Sequence, residues 1–386
     1  MKTAVWLYLF MFVAIFDLHA QYPILTPFAV SLGAAPSFIG LILGVYSITH
    51  LPGNLIAGYG VDRYGSKKFI LFSLIVAGAL LLLQSRVTDP WQLLVIRSIS
   101  GFVLAFLSPA CLSMLAKIAR DRVHQGKLMS GNGMVHTLAS VLSPAAGAYL
   151  VATLGFEQSF VYLGWGLMVT GVLAWIFVKE PRELMEAERT EGQPLHDTPA
   201  SVGQPGGSGS IPWLFFCVPL ALSCSQGILF FELPLMQETH SSIMTSGIFF
   251  SLVSLGSLVT LSMLFLNRMS AAWRITLGSL ALAFIFFGMS IRWALPMFAS
   301  LFMIGMTKGV IFPAIASYLA ANTNSNRYGR TFSILSIAYS IGAFIGPIVA
   351  GHVRGEMSPY FIAFLFLMTA LAILPFRSIL SPARAS

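Results

Sequence analysis

The chain has 386 residues, of which 56% are apolar and only 9% are charged. Charged residues make up about a quarter of a typical soluble domain, so this composition excludes an ordinary soluble protein and requires a membrane. The net charge of +8 does not indicate a nucleic-acid partner, because the basic residues are dispersed along the chain instead of forming one stripe.

Twelve apolar runs divide the chain, and most have the roughly 20 residues that a helix needs to cross a bilayer. The predicted fold class is an all-α membrane protein. The expected transmembrane helices, called spans 1 to 12, cover residues 3–27, 36–60, 68–84, 91–117, 128–153, 157–178, 211–236, 242–266, 271–291, 294–321, 329–353 and 357–379. Span 1 is too long for a signal peptide, so we expect it to be retained. Most of the 22 Lys and Arg residues then lie on the side of the N-terminus, which predicts that both termini are cytoplasmic.

Leaving out the first and last four residues of each span, four charged residues lie inside the predicted spans: Asp17 in span 1, Arg97 in span 4, Glu232 in span 7 and Lys308 in span 10. Each costs about 2.5–3.5 kcal/mol even on lenient insertion scales, so each needs a reason. Burial raises the proton affinity of a carboxylate, which makes Asp17, near the midplane, the strongest candidate for a proton carrier. A static ion pair or a hydrogen bond to another helix is the alternative for Asp17.

Residues 58–68 form a charged segment between spans 2 and 3, and we predict a short loop with glycines at both bends. Gly65 permits a left-handed turn there. The segment resembles the loop between the second and third helices of major facilitator superfamily transporters, Gly-x-x-x-Asp-(Arg/Lys)-x-Gly-(Arg/Lys)-(Arg/Lys). The residues that fit are Gly58, Asp62, Arg63, Gly65, Lys67 and Lys68, and Ser66 takes a place that is usually basic. The resemblance implies that these residues form a conformational gate.

Two further elements are similar to motifs of the same family. Arg97 and Gly101 resemble the Arg-x-x-x-Gly element in span 4 of proton-coupled members, where a fixed cation lowers the proton affinity of a nearby carboxylate. A snorkelling arginine near the outer interface is the alternative. The segment from Ala139 to Ala148 in span 5 resembles a degraded antiporter motif, in which Pro144 and Gly147 match and Ala139, Ser143 and Ala148 replace glycines. Simple helix packing explains these small residues equally well.

Residues 180–210 contain several glutamates followed by a run rich in Gly and Ser, a composition that predicts a flexible cytoplasmic linker. This linker separates an N-terminal six-helix bundle, residues 1–179, from a C-terminal six-helix bundle, residues 211–386. We therefore expect two pseudo-symmetric bundles, as in the major facilitator fold.

The two halves repeat some of their residues. Gly101 and Pro109 recur 204 positions later as Gly305 and Pro313, which indicates an internal duplication. Transporters built from two related halves bind their substrate at the interface of the halves, near the bilayer midplane.

The resemblance implies a secondary transporter that works by alternating access, without a cofactor, and not an enzyme. No phosphate cradle, Cys/His cluster or Ser/His/Asp arrangement is evident in the loops. The expected activity is proton-coupled export of an amphipathic organic compound or drug. The alternative is transport of an anionic metabolite or a lipid-linked molecule. The expected partners are the small-molecule substrate, protons and membrane lipids, for a monomer in the inner (plasma) membrane of a bacterium.

The candidate site residues follow from these expectations. Asp17, Arg97 and Glu232 are assigned to proton coupling, and Glu232 is expected at the outer mouth of the cavity or at a solvated interface. Tyr22, Phe231 and Lys308 are assigned to substrate binding. Lys308 has three possible roles: it pairs with a protein carboxylate, neutralises an anionic substrate, or itself carries the proton.

Overall fold

The computed structural model describes residues 2–119, 122–178, 212–236, 242–263, 266, 268–323 and 328–374. The predicted linker, residues 180–210, lies outside this part of the chain. The described residues form helices, and none of them is in a strand. The helices are α1 (Lys2–Ala20), α2 (Tyr22–Ser31), α3 (Pro36–Tyr64), α4 (Ser66–Gln84), α5 (Pro90–Leu104), α6 (Leu107–Lys117), α7 (Arg122–Phe177), α8 (Cys217–Glu232), α9 (Ile243–Ser262), α10 (Ala271–Ser290), α11 (Met297–Asn322), α12 (Tyr328–Val353) and α13 (Pro359–Ile373). Short 3-10 turns at Trp213–Phe216 and Leu233–Leu235 flank α8.

Each of the twelve predicted spans has a counterpart in the structure. In the described part of the chain, ten helical segments are long and apolar enough to cross a membrane, and Pro359–Ile373 is a shorter apolar helix. The longest segment, α7, contains a sharp break at Gly155, where φ is +80°, and therefore supplies both span 5 and span 6. The prediction of an all-α membrane fold is confirmed.

Two spans consist of two helices each. Span 1 is divided into α1 and α2 at Gln21, two residues before Pro23. Span 4 is divided into α5 and α6 at Ala105 and Phe106. A proline lacks the backbone N–H and crowds the carbonyl four residues earlier, and for Pro109 that carbonyl belongs to Ala105. The prolines thus explain why these spans are not straight.

The segment of residues 58–68 differs from the predicted loop. α3 continues as a helix through Tyr64, and α4 begins directly at Ser66. The whole reversal takes place at Gly65, where φ is +91° and the backbone N–H donates to the Val61 carbonyl. Gly58 lies inside the helix and makes no bend. A helix can continue through charged residues beyond its apolar run. The charged composition of this segment therefore did not distinguish a helix end from a loop.

The duplication is visible in how the halves pack internally. A Cβ atom on Gly101 would collide with the Tyr46 carbonyl of α3, and one on Gly305 would collide with the Val253 carbonyl of α9. Each glycine therefore lets span 4 or span 10 lie directly against the second span of its own half, which is how small residues support packing in lipid.

The two halves meet along two helix pairs, α3 with α12 and α7 with α9. Gly40 of α3 lies against the Pro347 backbone of α12. The backbone N–H of Ala145 in α7 donates to Ser251 Oγ of α9 at 3.2 Å. All of these contacts lie towards the end of the molecule away from Gly65, which we call the outer end; the Gly65 end is the inner end.

Candidate functional site

A central cavity lies between the halves on the inner side of these contacts. Its first compartment measures about 300 Å³ and extends to Leu261, the penultimate residue of α9 at the inner end. A second compartment of about 290 Å³ lies beside it and includes Arg97. Four residues line both compartments: Tyr22, Gln226, Phe230 and Phe312. Each compartment is close to the lower limit of the usual 300–1,000 Å³ range for small-molecule sites.

Aromatic rings from both halves lie where the two compartments of the cavity meet. The ring of Tyr22 stacks on that of Phe230, with centroids 4.2 Å apart, and Phe250 lies 5.5 Å from Phe230. Tyr22, which the sequence assigned to substrate binding, lines both compartments, and its role in binding stays a prediction. Phe231, in contrast, is fully buried inside the second half. Neighbouring residues of a helix point about 100° apart, so Phe230 faces the cavity in place of Phe231.

Asp17 belongs to a buried polar network inside the first half and is not among the cavity-lining residues. The Nε2 amide of Gln21 donates to both carboxylate oxygens of Asp17, at 3.0 Å each. Gln21 lies one helical turn after Asp17, which places both side chains on one face across the break between α1 and α2. Asp17 is 2% exposed.

Arg97 is connected to Asp17 through this same amide. Its Nη1 donates to Gln21 Oε1 at 3.2 Å, and Gln84 Nε2 lies 3.5 Å from that oxygen. The guanidinium also sits over the Tyr46 ring, 4.6 Å from its centroid, an arrangement that favours a cation. The expected proximity of Asp17 and Arg97 is therefore found, but a glutamine stands between the two charges.

Gln21 and Gln84 were not among the predicted site residues. Neutral amides carry no net charge and were passed over in the search for costly intramembrane charges. The signal was nevertheless present, because an amide four residues after a buried carboxylate is placed to donate to it. Gln84, at the end of α4, had no such local signal.

A second group of basic side chains faces the first compartment: His19, His136 and Lys308. The His19 and His136 rings meet edge to face with centroids 5.9 Å apart. His19 Nδ1 lies 2.9 Å from the Ile15 carbonyl oxygen, which can only accept, so Nδ1 carries the hydrogen. Two residues along a helix point about 200° apart, so His19 and Asp17 face different directions. It is the histidine, and not the carboxylate, that lines the cavity.

Lys308 has no carboxylate within ion-pair distance among the residues that the structure describes. The two acids inside the spans, Asp17 and Glu232, have other partners. Asp17 accepts from Gln21, and Glu232 binds Arg354. Of the three roles considered for Lys308, pairing with a protein carboxylate has no support in this structure.

Glu232 lies at the outer end of the second half, away from the central cavity. One of its oxygens is 3.0 Å from Arg354 Nη1, and Arg354 Nη2 also donates to the Leu235 carbonyl at 2.9 Å. This pair borders a separate cavity of about 450 Å³ that also includes Arg292. Glu232 is therefore not brought together with Asp17 and Arg97.

The predicted gate residues lie at the inner end. Lys67 Nζ donates to the Trp175 carbonyl near the end of α7, at 2.9 Å, and ties the turn to its own half. Arg63 Nη1 donates to the Tyr59 hydroxyl at 3.1 Å. Asp62 lies within α3, but its side chain falls outside the described part of the structure. Lys68 lies in the first turn of α4.

The comparisons with known sequences agree on one protein family. Residues 7–292 match the model of the Major Facilitator Superfamily. The multidrug resistance protein MdtG of Yersinia enterocolitica is 24% identical over 86% of this chain and 80% of its own length. The MdtG protein of Citrobacter koseri is 29% identical over 43% of this chain and 42% of its own length. Several relatives are thus matched over only about two fifths of their length.

Solved structures share the architecture at low identity. A bacterial homologue of the human lysosomal transporter Spinster, in an inward-facing and occupied conformation, has a TM-score of 0.78 at 14% identity, covering 96% of this chain and 95% of that one. The inward-open xylose transporter XylE of E. coli has a TM-score of 0.66 at 15% identity, covering 97% and 94%. These similarities show the fold.

Proposed function

The chain belongs to the major facilitator superfamily and is a membrane transporter of small molecules, and we propose that it exports amphipathic organic compounds in exchange for protons. The observation that carries this proposal is the buried Asp17–Gln21–Arg97 network beside a cavity lined by both halves. The MdtG relatives, which are named for multidrug resistance, support the export of organic compounds.

Alternating access is supported by the packing of the halves. The structure is closed at the outer end, where Gly40 meets Pro347 and Ala145 meets Ser251. The cavity extends towards the inner end, which the distribution of basic residues assigns to the cytoplasm. We therefore interpret the structure as the inward-facing state of a monomer in the inner membrane of a bacterium, with both termini cytoplasmic.

Proton coupling would use Asp17 as the carrier and Arg97 as the element that senses the cavity. Arg97 lines the second compartment and is hydrogen-bonded to the amide that holds Asp17. Moving a cation closer to a buried carboxylate lowers its proton affinity, and moving it away raises it. A substrate that displaces Arg97 therefore changes how strongly Asp17 holds its proton.

Export by proteoliposomes under an imposed pH gradient tests the coupling. Three probes share one ring system and differ in charge: 2-naphthoate, 2-naphthamide and 2-naphthylmethylammonium. Wild type should move at least one of them against its gradient, beyond the level of protein-free vesicles. Asp17→Asn should abolish this uphill movement and keep downhill exchange. Asp89→Asn is the matched control, because Asp89 caps α5 in an exposed position and asparagine caps a helix equally well. Uphill transport by Asp17→Asn at the wild-type rate would refute the proposal.

The inner-end turn is assigned to gating. Asp62 is proposed to brace the halves when the cavity opens outward, by facing Gly329 or Arg330 at the start of α12. The supporting residues are Gly58, Arg63, Gly65, Lys67 and Lys68. Asp62→Ala should raise the inward-facing population without loss of ligand binding. Distances between paired spin labels across the inner ends measure this shift, and unchanged distances would contradict the assignment.

A further inference from the structure

The charges that line the central cavity are all of one sign. Among the described residues, the ionisable side chains of the first compartment are His19, His136, Lys308 and the weakly acidic Tyr22, and the second compartment adds Arg97 and two further tyrosines. Neither compartment is lined by an Asp or a Glu. A carboxylate at the wall would favour a cationic ligand by electrostatic complementarity, whereas this wall offers bases.

Lys308 is the residue on which the argument depends. Intramembrane cations persist where they pair with an acid, with backbone carbonyls or with a ligand. The described acids of the spans are held by Gln21 and Arg354, at distances of 3.0 Å in both cases. Lys308 is left facing the cavity, beside two imidazole rings.

The apolar part of the same wall determines what the uncharged part of the ligand can be. Phe230, Phe250 and Phe312 line the first compartment together with Tyr22, and their rings are large flat surfaces on which an aromatic or aliphatic body can pack. Gln226 and Ser254 add neutral polar groups to the same wall. A ligand with one charged end and one apolar end matches this distribution.

We propose that the central cavity binds amphipathic organic monoanions, with the anionic group at Lys308, His19 and His136 and the apolar body against Tyr22, Phe230 and Phe250. The chemistry is shared by carboxylates, sulfonates and phosphate monoesters. This inference rests on the proposed function only in taking the central cavity as the substrate site. It does not depend on proton coupling.

Binding to purified protein in nanodiscs, without any pH gradient, tests the ligand class. The probes are again 2-naphthoate, 2-naphthamide and 2-naphthylmethylammonium, and empty nanodiscs measure partitioning into lipid. Wild type should bind the carboxylate more tightly than the amide and the ammonium. Lys308→Gln should lower the affinity for 2-naphthoate at least about tenfold, as expected for the loss of a charged hydrogen-bond partner. The affinity for 2-naphthamide should stay unchanged.

Two further variants make the result specific. Lys308→Arg keeps the charge and should keep the preference for the carboxylate. Phe250→Ala should weaken all three probes by a similar factor, because it removes packing and not charge. Binding of 2-naphthamide reports that the two Lys308 variants are folded, and monodisperse elution of the purified protein reports this for Phe250→Ala.

Several outcomes would overturn the proposal. Equal affinity of wild type for the three probes, the absence of binding of all three, or an unchanged 2-naphthoate affinity in Lys308→Gln would each do so. If the ammonium binds best, the cavity selects cations. These results are separate from the coupling experiment, since binding of the anion can be present even if Asp17→Asn leaves uphill transport intact.

Discussion

The two halves share their packing but place their charges differently. In the first half, Asp17 and Arg97 are buried inside the bundle at 2% and 4% exposure. The position 204 residues after Arg97 in the second half holds Leu301, which is buried and apolar. The equivalence is supported by Gly101 and Gly305, which make corresponding close contacts in the two halves. At this pair of positions, the duplicated scaffold therefore carries a buried charge in the first half only.

At one position of the cavity wall, it is the second half that carries the charge and the first half that does not. Lys308 of the second half lines the cavity, whereas the position 204 residues earlier in the first half is Leu104. Tyr22 of the first half and Gln226 of the second half line both compartments. The scaffold thus presents residues of both halves to the substrate, but the first half holds the proposed proton site and the second half contributes Lys308 to the proposed anion site.

Exchanging the residues at the Arg97 and Leu301 positions should give the largest effect. Leu301 is 0% exposed and lies in the apolar core. Leu301→Arg would bury a cation where no network is built for it, at a cost of several kcal/mol. We expect little folded protein, measured as monodisperse yield in detergent. Arg97→Leu should fold, because Asp17 keeps its bonds to Gln21 and can bind a proton, but it should lose uphill transport.

Leu301→Met is the control for the first exchange, since a swap of similar volume usually costs less than about 1.5 kcal/mol. A well-folded Leu301→Arg protein would mean that the second half tolerates a charge at the equivalent position. The asymmetry between the halves would then have no structural basis.

The second prediction concerns Gln21, the amide between Asp17 and Arg97. Gln21→Leu removes the shared partner of Asp17 and Arg97. An unmet buried polar group costs about 1–3 kcal/mol, and more when it is charged. We expect a lower unfolding temperature and at least a tenfold loss of pH-driven transport.

Ser225, a buried polar residue of α8, serves as the control. Its hydroxyl donates to the Leu222 carbonyl of its own helix at 2.8 Å. Ser225→Ala should therefore cost about 1 kcal/mol or less and leave the pH dependence of transport unchanged. Equal effects of the two substitutions would show that Gln21 is only a packing residue.

The sequence predicted the positions of the spans well because the bilayer fixes their length. It did not predict that α3 reaches Tyr64, since a polar helix end and a charged loop have the same composition. Phe230 and Phe231 could not be separated, because the rotation of α8 is set by packing against other helices. The neighbours of Lys308 were equally inaccessible, since they depend on which face of α11 meets the cavity. The charged residues were easy to find, and their partners were not.

The ion pair at the outer end of the second half should give the smallest effect. The sequence assigned Glu232 to proton coupling, but the structure places it with Arg354 beside a separate cavity. Arg354 keeps its bond to the Leu235 carbonyl when the carboxylate is lost. Glu232→Gln should therefore lower stability by only about 1 kcal/mol, as for a partly exposed pair, and leave uphill transport at the wild-type rate across pH.

The first half offers a corresponding pair at its own outer surface. Arg86 Nη1 lies 3.3 Å from Glu157, and both side chains are largely exposed. Glu157→Gln should have no measurable effect on unfolding or transport, because water screens such a pair. If Glu232→Gln abolished uphill transport while Glu157→Gln did not, a titrating acid would belong to the second half as well. The division of charge between the halves would then be incomplete, and proton movement would involve both copies of the scaffold, with Asp17 and Glu232 acting at different depths of the membrane.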